Sequence, residues 1–126
     1  MKEAVLKLGV GQIQISDETL EKLKAKADKG QLLSEFGPPR LPEGVGGAEK
    51  ADRYRTILPS RVCAQITNLH RGDDGNVYGT VKPHGPMAKV LKQAMEGGNA
   101  EALQFGVRVV TRASVSEAIT YDLVKF

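Results

Sequence analysis

A chain of 126 residues, 40% hydrophobic and 26% charged, has the size and composition of a single domain with its own core, so one domain over 1–126 is expected. Its net charge of +3, from 18 basic and 15 acidic side chains, and its lack of tryptophan argue against nucleic acid, whose binding needs a basic stripe interleaved with aromatics. No apolar run approaches the roughly 18–20 residues of a membrane span, and the opening MKEAVL carries no apolar leader core, so neither a membrane partner nor a secretion signal is expected.

Residues 4–15 alternate as a strand, with Leu6, Leu8 and Val10 on one face. The phase slips near Gly9 and Gly11, as at a bulge. Ser16-Asp17 offers an N-cap to a helix that places Leu20, Leu23 and Ala27 inward and ends at Gly30. Residues 31–36 read as a short strand. A long Gly/Pro-rich loop follows over 37–53, a length that suits either a functional or a plain surface loop.

"RVCAQITNL" and "VYGTVK" read as strands of one antiparallel hairpin across the Asp74-Gly75 turn. Residues 87–96 form a second helix with Val90, Leu91, Ala94 and Met95 inward, closed by Gly97-Gly98. "QFGVRVVTR" and "AITYDLVKF" supply two final strands. The sum is an α+β fold, a mostly antiparallel β-sheet or small barrel with two flanking helices.

Chemistry is sparse along this frame. Cys63 stands alone in an alternating apolar run, which makes it a core residue without an internal disulfide and points to a reducing compartment. The two histidines, His70 and His84, stand in no zinc-ligand pattern, and no phosphate loop, dinucleotide fingerprint or nucleophile elbow is present. No metal or cofactor is expected. Ser34, Ser60, Ser114 and Ser116 have no local base beside them. Strand alternation puts Phe105, Val107 and Val109 on one face of 104–112, and Gly106, Arg108, Val110 and Arg112 on the other. If that second face is open, Arg108 and Arg112 either bind a carboxylate or phosphate or are simply solvated.

The series "SEFGPPR", "RVCAQITNL", "GNVYGTVK", "HGPMAKVLKQAMEGG", "QFGVRVVT" and "YDLV" resembles, over about residues 31–125, the prohead core proteases of tailed bacteriophages. That family has a strand ending in G-E-x-[GN]-H-P, a hairpin before V-Y-G, a turn and helix, a strand with S-S-R and a last strand with D-x-V. The resemblance implies a herpesvirus-protease-like fold with a serine nucleophile and a histidine base. By position, Glu35, Pro39, Arg108 and Asp122 match family residues. Pro38 falls where the catalytic histidine belongs, and Gly106 and Val107 fall where the serine pair belongs.

Without those groups neither general-base nor nucleophilic catalysis is supplied at the matched positions. The resemblance therefore implies no catalytic residues in this chain and a non-catalytic phage protein that binds capsid or scaffold chains, as a homo-oligomer, in the host cytoplasm or the virion. Two alternatives stand beside it. One is a binder of a small anionic ligand such as a nucleotide, held by Arg108, Arg112, Arg40, Arg53, Arg55 and His84. The other is an active serine endopeptidase of prohead maturation that draws on His84 or His70 with Ser114.

Overall fold

The computed structural model of the chain describes residues 4–9, 14–37, 56–97, 103–112 and 115–125. Among the described residues six strands and two α-helices follow one another: β1 (Ala4–Leu8), α1 (Asp17–Asp28), β2 (Leu33–Glu35), β3 (Val62–Arg71), β4 (Val77–Pro83), α2 (Ala88–Glu96), β5 (Gln104–Arg112) and β6 (Val115–Lys125). A 3₁₀ turn, Pro59–Arg61, leads into β3.

Helix α1 begins where the sequence offers its cap: the Thr19 amide donates to Ser16 Oγ at 3.2 Å. Asp17 and Glu18 occupy the first turn and Lys26 the last, in the sense the helix dipole favours. Leu20, Leu23 and Ala27 are buried, and Gly30 takes the left-handed conformation, φ +71°, that stops the helix. In α2, Leu91 and Met95 are buried and Val90 and Ala94 half-buried, so the inward face is the one the spacing predicts.

The strands form a four-stranded sheet in the order β1-β4-β3-β2 and a two-stranded sheet of β5 and β6, antiparallel throughout. The hairpin of β3 and β4 is present, with a bulge between Thr67 and His70 where Asn68 takes φ +51°. The two sheets meet at two seams. Gly9 N donates to Phe105 O at 2.8 Å on one side, and Gly37 N to Leu123 O at 2.8 Å on the other, beside an isolated parallel bridge from Phe36 to Leu123. Among the described residues no continuous ladder joins the sheets, so the fold is α+β with mostly antiparallel sheets and without a closed barrel.

Side chains link the β2–β6 seam step by step. Thr120 Oγ1 donates to Leu33 O at 2.7 Å, Ser34 Oγ donates to Tyr121 O, and Glu35 N donates to Asp122 Oδ1 at 3.1 Å. A shared core backs both sheets: Leu8, Leu23, Leu32, Ile66, Val81, Leu91, Phe105, Tyr121 and Leu123 are all at most 1% exposed. Fully burying side chains of this size contributes about 1.5–3 kcal/mol apiece.

Candidate functional site

Glu35 ends β2 beside the β2–β6 seam, Asp122 lies on β6 across it, and Arg108 lies on β5 diagonal to Asp122, since Gly106 pairs with Asp122 and Arg108 with Thr120. The three charged side chains come together in the interior: Glu35 is 0% exposed, Asp122 2% and Arg108 5%. Gly106, directly opposite Asp122, puts no side chain between that carboxylate and the guanidinium two residues on. Arg108 Nε donates to Asp122 Oδ2 and Nη2 to Oδ1, both at 2.8 Å. Nη2 also donates to Glu35 Oε2 at 3.0 Å, and Nη1 to Thr56 O at 3.0 Å. One guanidinium thus ties together β2, β5, β6 and the segment before β3.

Glu35 has further partners. Leu58 N donates to its Oε2 at 3.1 Å, and half-exposed Arg61 brings Nε within 3.4 Å of Oε1 while its Nη2 donates to Phe36 O. Burial alone would lower the Arg108 guanidinium, but Asp122 and then Glu35 more than offset it and hold it above its ordinary value. Burial pushes the Asp122 carboxyl up against the pull of Arg108. The two-pronged contact at 2.8 Å is that of an ionised pair, and charge-assisted bonds of this geometry are the strong ones.

The open arginine face that alternation suggests is therefore not what forms at Arg108. Residues 56–58 cross over it, and the carboxylates it meets are the chain's own. Arg112 ends β5, with its side chain outside the described part. Arg40, Arg53, Arg55, Pro38, Pro39 and Ser114 lie outside the described residues. His84 is exposed and lines a pocket of about 260 Å³ with Leu33, Ile57, Pro59, Val62 and Pro86. His70 is exposed at the far end of β3, its ring stacked on Tyr78. It lies eight positions beyond Val62, at most about 27 Å at the strand rise.

Cys63 lies at the start of β3, buried, its thiol pushed up to about 12 by burial first and by the Asp122 charge second. A thiol so placed is no nucleophile at neutral pH. Among the described residues no group of three or more His, Cys, Asp or Glu is arranged to hold a metal. The contributions of Thr56, Leu58 and Arg61 are missed by reading the sequence, because two are backbone groups and Arg61 reads as the start of a strand.

Comparison with curated proteins and with solved structures gives no match. At the family level, residues 13–126 match the Peptidase S80 family. That span holds Glu35, Pro39, Arg108 and Asp122, the residues that match the prohead-protease pattern. The chain belongs to the Peptidase S80 family.

Proposed function

We propose that this chain is a non-catalytic prohead-protease-like phage protein that acts by binding, in capsid structure or assembly. The observation that carries the reading is the surroundings of Arg108. The two preceding positions, where the resemblance places the serine pair, are Gly106 and Val107, which have no group able to attack a carbonyl. Arg108 itself pairs with Asp122 and Glu35, in a buried ion network beside the positions where the resemblance places the serine pair. Cys63, the buried thiol nearby, is held protonated.

The test is labelling of the purified chain with a fluorophosphonate probe, alongside prolonged incubation for self-cleavage. Neither label nor cleavage is expected. Labelling that disappears in Ser114→Ala supports the second reading, an active serine endopeptidase, which the family's peptidase character favours. The capsid role is tested separately by mass spectrometry of purified phage particles and proheads, where the chain is expected. For a nucleotide-binding role Arg108 would have to leave two carboxylates to meet a phosphate, which makes that reading the weaker one.

A further inference from the structure

Residues 56–61 run across the charge cluster before entering β3. Two of their backbone groups are held by it: Thr56 O by Arg108 Nη1 and Leu58 N by Glu35 Oε2. Ile57, between those anchors, and Pro59 just after them line the apolar pocket together with the His84–Pro86 turn. Thr56, Pro59 and Ser60 are exposed, and Ile57 and Leu58 only half-buried. The 3₁₀ turn that follows has no buried residue, whereas β3 beyond it is laddered on both sides. Segments with little buried apolar surface and exposed backbone open at lower free energy than laddered strands.

We propose that residues 56–61 are a strap over the buried carboxylates, latched by Arg108 and Glu35, that opens as a unit and carries one wall of the apolar pocket with it while both sheets stay folded. Opening breaks the two latch bonds and the contacts of Arg61 with Phe36 and Glu35, and lets water reach Glu35, so a charge that is costly to bury gains solvation as the strap leaves. The latch also bears on the pocket: Ile57, held between the two anchors, and Pro59 line it with Leu33 and Val62. The strap is independent of the proposed capsid role, since it follows from the bonds to Thr56 and Leu58 alone.

Residue-resolved amide hydrogen exchange on the full chain tests it, with Leu58→Pro and Arg108→Lys as variants. Leu58 sits at φ −79° and ψ 115°, which proline accepts, so Leu58→Pro deletes the N–H that Glu35 holds without changing the dihedrals of residue 58. In Arg108→Lys the ammonium keeps its charge but cannot fork to Asp122 and reach Thr56 O together. The reporter is the Arg61 amide, which donates to Leu58 O at 3.0 Å inside the strap. It is expected to exchange at least tenfold faster in both variants, and to exchange in the parent with far weaker dependence on urea than the Ile66 and Val81 amides, since a local opening exposes little surface. Parental exchange at Arg61 in Leu58→Pro overturns the strap, as does a urea dependence at Arg61 equal to that at Ile66 and Val81. If Arg108→Lys does not fold, Leu58→Pro alone decides.

Discussion

Arg108 and Asp122 face each other with two parallel bonds of equal length, Nε to Oδ2 and Nη2 to Oδ1, each 2.8 Å. This fork is buried, and Glu35 shares its cation. Taking away one member of a buried ion network is far more damaging than its net worth suggests, because the charges left behind lose that cation without gaining water. Arg108→Ala leaves two such carboxylates and is expected to cost about 3–5 kcal/mol in urea unfolding. Arg108→Lys keeps the charge and loses the fork, for about 1–3 kcal/mol. Equal stability of Arg108→Ala and the parent would mean that the pair is solvated.

The turn after β4 makes a second prediction. Gly85 takes φ +81°, and a Cβ there would lie 2.7 Å from Val62 O, a backbone atom that also accepts from Met87 N at 2.9 Å. A left-handed conformation costs a non-glycine residue about 1–3 kcal/mol, and here the clash adds to it. Gly85→Ala should lower the thermal midpoint by several degrees, whereas Gly75→Ala, with φ +84° but open space around it, should lose only the conformational part. Equal losses would show that the Val62 carbonyl can move aside.

What could be read from the sequence was what is local. Ser16, Leu20, Leu23 and Ala27 declare α1 within a dozen residues, and Asp74-Gly75 between two alternating runs declares the β3–β4 hairpin. The surroundings of Arg108 are not local. The backbone that covers it comes from Thr56, 52 residues earlier, and one of its carboxylates from Glu35, 73 residues earlier. Alternation along β5 separates the two faces of the strand but does not say which is roofed. Glu35 and Asp122 stood out by resemblance only, since a single acid in a strand does not announce an internal partner. The two sheets and their seams were equally hidden, because Ser34 and Thr120 join them with hydroxyls rather than with a ladder.

Cys63 offers a chemical check on the cluster. Its thiol is 0% exposed and is pushed up to about 12 by burial, with the Asp122 charge adding to it. Thiolate is the reactive form, so the native chain should react with a disulfide reagent at pH 8 only as fast as it opens, and fully once unfolded in urea. Fast native labelling would place Cys63 at the surface and remove the buried charge environment deduced around it.

The β3–β4 turn carries a pH signature of its own. Asp74 accepts from the Tyr78 hydroxyl at 2.6 Å and from Asn76 N at 3.0 Å, and its carboxyl is lowered from 3.8 to about 2, chiefly by Tyr78. Both bonds favour the ionised form. A folded value below the unfolded one means that the turn gains stability from Asp74 above pH 3.8 and loses it as the pH falls through about 2. A carbon-13 titration of the Asp74 carboxyl should therefore show a midpoint near 2. In Tyr78→Phe the Asn76 bonds remain while the strongest donor is gone, so the midpoint should climb back toward 3.8 without reaching it. A midpoint unmoved by Tyr78→Phe would assign the shift to Asn76 and Lys7 instead, and the hydroxyl would then be a passenger on the turn.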